Sequence, residues 1–223
     1  MAGGASSLRR HLVPAFVTSI GHLLRSRALI SFSARVQWGR EIRFGRGTVV
    51  KAFAVVQSSG GMVSFGADCA ISSFVHVSTG AGDVIAGDGV RIAPNCTLVG
   101  GTKAVHARGV MIKDQPEAAV RGIRIGNDVL IGAGSVILPG TRIERGAVIG
   151  AGSVVSGAVP EYAIVAGAPA QVIGRLVDDT EAELLVIGTH AREGVKGILL
   201  GNTSERLLHA VATDVLTMHG NKI

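Results

Sequence analysis

A six-residue repeat constrains the fold of this chain more than any other feature. From residue 125 the sequence divides into the hexads IGNDVL, IGAGSV, ILPGTR, IERGAV, IGAGSV and VSGAVP. An aliphatic residue opens every hexad: Ile125, Ile131, Ile137, Ile143, Ile149 and Val155. A small or β-branched residue takes each fifth position: Val129, Ser135, Thr141, Ala147, Ser153 and Val159. Because neither a strand nor a helix has a period of six, we predict short strands joined by tight turns, with the opening residues stacked in layers.

The same spacing recurs upstream in three sets separated by intervals of nine. The sets open at Trp38, Phe44, Val50 and Val56, then at Phe65, Ile71 and Val77, then at Ala86, Ile92 and Leu98. Cys69 and Cys96 fall in the fifth position, which predicts small buried core residues. His76 falls in the sixth position, which predicts an outward residue at a corner. The long interruption between Val99 and Arg124 predicts a functional loop.

The composition agrees with a layered, β-rich fold. Aromatic residues make up 4% of the chain and apolar residues 47%, with 32 glycines and 6 prolines. A core with so few rings needs many similar layers rather than one bulky centre. The apolar content excludes disorder, the low proline content excludes collagen, and two cysteines exclude a disulfide scaffold or a four-cysteine zinc site.

The N-terminal region combines positive charge with helical periodicity. Residues 1–51 contain nine lysines and arginines and one acid, Glu41, whereas the remaining residues contain thirteen basic and fifteen acidic residues. The apolar residues at helical spacing are Leu12, Phe16, Ile20, Leu23 and Leu24. We therefore predict a basic amphipathic helix within residues 1–35 that covers the open end of the core. The run is shorter than the ~20 residues of a membrane span, so we expect a cytoplasmic protein.

The positive charge is compatible with an anionic partner near the N-terminus. A solvated helix with basic edges is the simpler interpretation, and peripheral contact of the basic N-terminus with a membrane surface is the alternative that we keep. No nucleic-acid-binding motif accompanies the charge, so nucleic acid is not an expected partner.

The repeats resemble those of the hexapeptide-repeat acyltransferases. The closing run PEYAIVAGAPAQVIGRL, residues 160–176, contains a Gly-x-Pro-Ala signature at residues 167–170 and is similar to the end of that fold. The block from Ile85 to Leu98, a loop with a histidine and then IGNDVLIG is similar to the sugar O-acetyltransferases of the family. The resemblance spans residues 36–176. It implies an all-β, left-handed parallel β-helix that uses acetyl-CoA as co-substrate, acts on a small molecule or glycan, and assembles as a homotrimer.

In this family a loop histidine removes a proton from the acceptor hydroxyl, which then attacks the acetyl-CoA thioester. The resemblance assigns this general base to His106, which precedes Ile125 by 19 residues as in the family pattern. Counted from Asn95, the family register instead places Lys103 at the catalytic position. Val105 also replaces the Asn or Asp that often precedes the histidine. A solvated loop histidine is therefore the alternative.

The resemblance also assigns the coenzyme A contacts by position. They fall on Ala133, Ala151, Ser156, Gly157, Gln171 and Arg175. Gln171 stands where a basic residue often meets a CoA phosphate, and Arg175 is the expected substitute. Ordinary coil geometry is the alternative for these positions. Related β-helices bind zinc through three histidines, but His76 and His106 have no closely spaced companion, so no metal site is expected.

Residues 177–223 depart from the hexads. LLVIGTHAREGVKGILLGNTSERLLHAVATDVLTM resembles the last βαβ unit of universal stress proteins, with a helix predicted from Ser204. Gly188, Gly201 and Asn202 fit the nucleotide motif of that family, whereas Ala191 replaces its middle glycine. Because a segment of this size rarely buries a core of its own, we predict a short α/β appendage rather than a nucleotide site. It serves docking or oligomerisation, or it is the remnant of a gene fusion.

These observations favour an acetyl-CoA-dependent O-acetyltransferase that acts on a sugar or a polysaccharide precursor. A β-helix that kept the fold and lost the base, as a non-catalytic scaffold with an interaction tail, is the main alternative. The shifted register of His106, together with Val105 and Gln171, favours that alternative. A nucleotide-binding stress sensor is a third hypothesis, which depends on the tail alone.

Overall fold

The computed structural model describes residues 14–119, 122–175, 184–189 and 214–219. The chain divides into two compact units, residues 1–175 and residues 176–223. The described part of the first unit begins with the helix α1 (Ala15–Ser26) and continues from the strand β1 (Leu29–Ile30) as a series of short strands.

These strands form three sheets, which we call A, B and C. Sheet A contains β1, β4 (Val49–Val50), β7 (Ala70–Ile71), β10 (Arg91–Ile92), β13 (Leu130–Ile131), β16 (Val148–Ile149), β19 (Ala163–Gly167) and β20 (Ala170–Arg175). Sheet B contains β2 (Arg35–Val36), β5 (Val55–Gln57), β8 (His76–Ser78), β11 (Thr97–Val99), β14 (Val136–Ile137) and β17 (Val154–Val155). Sheet C contains β3 (Ile42–Phe44), β6 (Val63–Phe65), β9 (Val84–Ala86), β12 (Ile123–Ile125), β15 (Arg142–Ile143) and β18 (Ala158–Val159).

From β1 to β16 each strand pairs in parallel with the strand three positions later in the chain, so the backbone passes through sheets A, B and C once per coil. Ile92, Ile131 and Ile149 therefore lie in register across three coils of sheet A. Strands of two or three residues are too short to be stable alone. They are stabilised by pairing and packing with the neighbouring coils, as in other repeat proteins. The arrangement confirms the predicted all-β class, a parallel β-helix of hexapeptide repeats.

The residues that open the hexads form the core. Four consecutive ones are at most 1% exposed: Ile131, Ile137, Ile143 and Ile149. The fifth positions are also buried, and their hydroxyls bond to the backbone. Ser135 Oγ donates to the carbonyl oxygen of Gly132 (2.7 Å), and Ser153 Oγ donates in the same way to that of Gly150 (2.6 Å). An unpaired buried hydroxyl would cost about 1–3 kcal/mol, so these local hydrogen bonds explain why a small polar residue is tolerated there.

Cys69 and Cys96 occupy fifth positions of upstream hexads, as predicted. Both thiols are free, and both residues are at most 1% exposed. Burial raises the pKa of each thiol, so both stay protonated and act as small core residues. His76 is exposed, as predicted, but it lies on the strand β8 rather than at a corner, with its Nε2 3.2 Å from Nε2 of Gln57.

The large changes in repeat length fall at one corner, between sheets B and C. All six connections from sheet A to sheet B contain four residues, and those from C to A contain four, except for three in the last. The connections from B to C contain five residues (37–41, 58–62 and 79–83), then 23 (100–122), four (138–141) and two (156–157). The corner between sheets B and C, called the B–C corner below, therefore absorbs the insertions while the other corners keep the strands in register.

The variable length of the B–C connections accounts for two residues of the predicted core that the structure places differently. The spacing predicts Trp38 as the opening residue of a hexad, but Val36 takes that position on β2 and Trp38 lies in the next connection, 39% exposed. The spacing also predicts Val159 in a fifth position, whereas Val159 pairs with Ile143 as the opening residue of β18. Both errors arise because connections at the B–C corner vary in length.

The helix α1 is oriented opposite to the prediction. It buries polar side chains, which are Thr18, Ser19 and His22. Its apolar side chains are 41–81% exposed: Phe16, Val17, Ile20, Leu23 and Leu24. The His22 ring packs edge-on against Trp38 and Phe44, with ring centroids 5.4 and 5.3 Å apart, and this contact turns the polar face inward.

The predicted apolar contact of the helix with the core is therefore wrong. The first coil starts at Leu29, inside the segment predicted to be helical. Leu12 lies outside the described residues.

The described part of the second unit is a pair of parallel strands, β21 (Leu184–Thr189) and β22 (Asp214–His219). A parallel pair requires a crossover connection, in agreement with the predicted βαβ unit. Gly188 lies in β21, opposite Met218. Ala191, Gly201, Asn202 and the helix predicted from Ser204 lie outside the described residues.

Candidate active site

The 23-residue connection from β11 to β12, residues 100–122, forms an insertion loop at the B–C corner. The two ends of the loop meet, because the Gly122 N–H donates to the carbonyl oxygen of Gly100 at 2.6 Å. The Gly100 N–H in turn donates to the carbonyl oxygen of Ser78 in the coil before it (2.7 Å). Gly122 has a φ of +82°, a conformation that glycine adopts without the strain of a side chain. The loop therefore leaves the coil and returns to it at one point, with the strands on either side still in register.

Residues 102–118 of the insertion loop form a hairpin. Lys103 and Glu117 form an antiparallel bridge, next to hydrogen bonds from the Ala104 N–H to the Pro116 carbonyl oxygen and from the Ala118 N–H to the Thr102 carbonyl oxygen. A short 3-10 helix at Ile112–Asp114 lies within the hairpin.

Gln115 holds the tip of the hairpin. It is 3% exposed, and its Oε1 accepts from the Ala107 N–H at 3.2 Å. Its Nε2 donates to the carbonyl oxygens of Ala107 (3.1 Å) and Val110 (3.2 Å). One buried side chain thus fixes the backbone on the C-terminal side of His106.

The loop presents two candidate bases in different states. His106 is exposed, and its ring has no hydrogen-bond partner in the part of the chain that the structure describes. Lys103 Nζ lies 3.0 Å from Glu117 Oε1 in an ion pair. An ammonium group in an ion pair has no lone pair with which to accept a proton, so the geometry favours His106 over Lys103 as the base.

A cleft of about 390 Å³ lies at the B–C corner beside the base of the insertion loop. Its lining residues come from three successive coils: Ala81, Gly82, Asp83, Gly122, Ile123, Arg124, Gly140, Thr141 and Arg142. The glycines leave the backbone of the corner accessible to a ligand. His106 does not line this cleft, so a reactant must extend from the cleft towards the loop to reach it.

The cleft carries excess positive charge. Arg124 and Arg142 are paired across neighbouring strands of sheet C, and both are exposed. Neither has an ion-pair partner among the described residues. Asp83, the acid of the cleft, already accepts a hydrogen bond at Oδ1 from the Met62 N–H (2.8 Å). Two arginines on neighbouring strands, neither of them in an ion pair with a described residue, form a favourable site for a phosphate or another anion.

The residues assigned to coenzyme A are all on the surface but do not form one cluster. Ser156 and Gly157 lie at the B–C corner, where the Gly157 carbonyl oxygen accepts from the Arg142 N–H at 2.9 Å, so they adjoin the cleft. Ala133 and Ala151 lie at the corner between sheets A and B, joined by a 2.8 Å hydrogen bond from the Gly152 N–H to the Ala133 carbonyl oxygen.

Gln171 and Arg175 lie on β20, opposite Ala166 and Ala163 of β19. The structure therefore joins only Ser156 and Gly157 to the cleft.

The sequence interpretation missed the arginine pair. Each arginine directly precedes an opening isoleucine, at Arg124–Ile125 and Arg142–Ile143, and the two lie 18 residues apart. Since three hexads complete one coil, a separation of 18 places residues on the same sheet one coil apart. This spacing is the signal that could have found the pair.

The described residues carry neither a metal-binding cluster nor a helix of membrane-spanning length. No group of three or more His, Cys, Asp or Glu residues in that part of the chain could hold a metal ion. No helix there is long and apolar enough to cross a membrane.

Comparison with known proteins agrees with this architecture. The family described as "Bacterial transferase hexapeptide (six repeats)" matches residues 122–157, and the universal stress protein family matches residues 144–219. Residues 144–175 of the second match form the last coils of the β-helix in this structure. The fold and the repeats thus define a left-handed β-helix protein of the hexapeptide-repeat class.

Two relatives in sequence extend the match. Protein CapG of Staphylococcus aureus is 41% identical over 127 residues, which are 55% of this chain and 71% of the relative. A probable acetyltransferase of Mycobacterium tuberculosis is 33% identical over 141 residues, 63% of this chain, and the chain spans less than half of the length of that relative (44%). The chain belongs to the hexapeptide-repeat acyltransferase family.

Solved structures show the same fold. A single-site mutant of AntD, an N-acyltransferase from Bacillus cereus, in complex with dTDP and coenzyme A, superposes with a TM-score of 0.61 at 21% identity, over 74% of this chain and 90% of that chain. A galactoside acetyltransferase in complex with coenzyme A superposes with a TM-score of 0.50 at 27% identity, over 74% of each chain.

Proposed function

We propose that this protein transfers an acetyl group from acetyl-CoA to a hydroxyl group of a sugar or a polysaccharide precursor. The observation that carries the proposal is the positively charged cleft at the one corner where the repeat is interrupted, beside a hairpin that presents a histidine. The galactoside acetyltransferase that binds coenzyme A supports the same class of co-substrate.

In this proposal the arginine pair binds the charged part of the co-substrate. Arg124 and Arg142 provide two guanidinium forks for phosphate oxygens, and the exposed backbone at Gly140 and Gly157 allows close approach. Ala133, Ala151, Ser156, Gln171 and Arg175 remain the contacts that the family resemblance assigns. When it is bound, acetyl-CoA supplies a thioester carbonyl as the electrophile.

His106 acts as the general base. A neutral imidazole accepts the proton of the acceptor hydroxyl while the oxygen attacks the thioester carbonyl, and it returns the proton to the departing thiolate. Gln115 is a positioning residue, because its hydrogen bonds to Ala107 fix the backbone beside the histidine. Lys103 stays in its ion pair with Glu117 and helps to hold the hairpin closed.

Calorimetric titration of the full chain with acetyl-CoA tests this proposal first. Saturable binding near one site per chain is expected, followed by release of free thiol when a panel of sugar acceptors is added. Absence of binding at several temperatures would contradict the proposal.

One observation favours a non-catalytic scaffold as the second candidate. A general base is normally oriented by a neighbouring group, and no described side chain hydrogen-bonds to His106. The two candidates differ in turnover, because a scaffold binds acetyl-CoA weakly or not at all and releases no thiol with any acceptor. A thiol-release assay across the acceptor panel therefore distinguishes them.

We also propose that the protein is a homotrimer, with residues 177–223 as a docking or oligomerising appendage. The family resemblance and the exposed faces of the coils support this assembly. Light scattering of the full chain is expected to give three times the 22.8 kDa chain mass. A monomeric mass would exclude the trimer.

A further inference from the structure

The outer surface of α1 is apolar and has no covering element in the described structure. We call this surface the apolar face. It consists of five side chains of the helix and two from the first coil, exposed by 41–81%: Phe16, Val17, Ile20, Leu23, Leu24, Leu29 and Phe32. A groove of about 600 Å³ runs between the helix and sheet A, lined by Ile20, Leu23, Leu29, Phe32 and Lys51 among others. A continuous apolar surface of this kind marks an interaction site.

The helix is fixed to the β-helix by its polar side. Thr18 Oγ1 and Ser19 Oγ donate hydrogen bonds to the Ala15 carbonyl oxygen, at 2.7 and 2.9 Å, so these buried hydroxyls need no partner in the core. The His22 ring packs between Trp38 and Phe44. Because these contacts use the polar side, the fold leaves the apolar side available for a partner.

Positive charge borders the apolar face at the end of the helix and in the groove, and it is frequent in the first coil. Arg25 and Arg27 lie at the C-terminal end of the helix, and Lys51 lines the groove. Four further arginines of the first coil and its connections are exposed: Arg35, Arg40, Arg43 and Arg46. Glu41 is the only acid in residues 14–67. Residues 1–13 add Arg9 and Arg10 and no acid.

We propose that the apolar face docks on an anionic lipid bilayer. An apolar stripe bordered by arginine and lysine is the pattern of helices that lie in the membrane interface, where the apolar side chains enter the acyl region and the cations meet the headgroups. A second copy of this chain is less favourable as the occupant, because a two-fold contact would place the same basic border against itself. The proposal is independent of the transferase activity.

Co-sedimentation of the full chain with lipid vesicles tests the proposal. Binding is expected to vesicles of phosphatidylcholine mixed with phosphatidylglycerol, with little binding to phosphatidylcholine alone, and added salt is expected to weaken it. Leu24→Ser, at an 81% exposed position, is expected to lower the partition coefficient about tenfold. Phe16→Ser is expected to act in the same direction. Ile173→Ser is the matched control, since Ile173 is an apolar residue on β20 that is 68% exposed and lies outside the apolar face.

Three results would overturn the proposal. The first is no binding of the wild-type chain to either vesicle, which would mean that residues 1–13 or another partner cover the apolar face. The second is equal partition of wild type, Leu24→Ser and Phe16→Ser. The third is a larger mass for wild type than for Leu24→Ser in light scattering without lipid, which would assign the face to a second copy. Equal melting temperatures of the variants establish that each is folded.

Discussion

Two corners of the β-helix keep nearly the same connection length in every coil, whereas the third does not. Every connection from sheet A to sheet B has four residues, whereas those from sheet B to sheet C range from two to 23. At the first corner a residue with positive φ recurs in consecutive coils: Phe53, Phe74, Asn95, Gly134 and Gly152. That turn is kept even where phenylalanine must adopt φ near +60°, a rare conformation for a bulky side chain.

The fold thus keeps its regular corners apart from the corner that carries the candidate site. Two corners of nearly constant length keep the strands in register, so the third can vary without disturbing the core. The hairpin with His106, the arginine pair and the residues Ser156 and Gly157 all lie at or beside this variable corner. The regular repeats therefore form the scaffold, and the B–C corner carries the candidate chemistry.

The largest effect on stability is expected from the scaffold side of this comparison. Ile137→Ala removes a fully buried residue of the core stack and is expected to lower the free energy of unfolding by about 2–5 kcal/mol. Urea denaturation measures the change. Val105→Ala in the insertion loop, at a 72% exposed position, is the control and is expected to stay within about 0.5 kcal/mol of wild type. Equal losses in the two variants would remove the distinction between scaffold and loop.

Substitution of the arginine pair tests whether the B–C corner binds acetyl-CoA. Arg124→Gln and Arg142→Gln are each expected to raise the Kd for acetyl-CoA about tenfold, because each removes a charged hydrogen-bond donor from the cleft. Arg43→Gln is the matched control, since Arg43 lies on the outer face of the same sheet but does not line the cleft. Calorimetry measures all three. If Arg43→Gln weakens binding as much as the other two, the charge acts non-specifically and the cleft is not the site.

The hairpin can be loosened without touching the core. Gln115→Ala is expected to accelerate hydrogen exchange of the Ala107 amide about tenfold and to lower kcat, because the backbone beside His106 loses its buried partner. Amide exchange in strands β13 and β16 should be unchanged. Faster exchange in those strands would mean that the loop and the scaffold unfold together.

The smallest expected effect is a change in the pH dependence of stability. It arises in the first coil, which packs against the helix α1 on one side instead of against another coil. Burial and the nearby Arg25 lower the pKa of His22 below its ordinary value of 6.5. As the pH falls below about 6.5 the unfolded chain gains a proton that the folded chain does not, so stability decreases on acidification, by at most about 1.4 kcal/mol per pH unit. His22→Phe is expected to reduce this dependence in urea denaturation at several pH values, whereas His76→Gln at an exposed position is expected to retain it. An identical pH dependence in His22→Phe and wild type would contradict the assignment.

The sequence predicted the scaffold well because the constraint is local and repeated. Each opening isoleucine and each fifth-position serine occupies the same environment in every coil. The burial of one hexad therefore predicts the burial of the others. Cys69 and Cys96 follow the same rule. The errors at Trp38 and Val159 occur where connection length varies, because a fixed spacing cannot place residues across an unknown insertion.

The site and the helix were harder to predict for a different reason. Periodicity shows that α1 has two faces but not which one packs, and here the ring contacts of His22 with Trp38 and Phe44 determine the orientation. Arg124 and Arg142 become neighbours only when the coil closes. The hairpin contacts of Gln115 depend on the three-dimensional path of an irregular loop. These features are tertiary, and no short-range pattern contains them.

The most direct test of the central claim is the rate of acetyl transfer by His106→Ala compared with Lys103→Ala. Thiol release from acetyl-CoA in the presence of a productive sugar acceptor is measured for both variants and for wild type, with acetyl-CoA binding followed by calorimetry. Loss of about 10²- to 10⁴-fold in kcat for His106→Ala, with binding retained and a much smaller loss for Lys103→Ala, is the predicted result. An unchanged rate in His106→Ala, or a loss confined to Lys103→Ala, would contradict the assignment of His106 as the base.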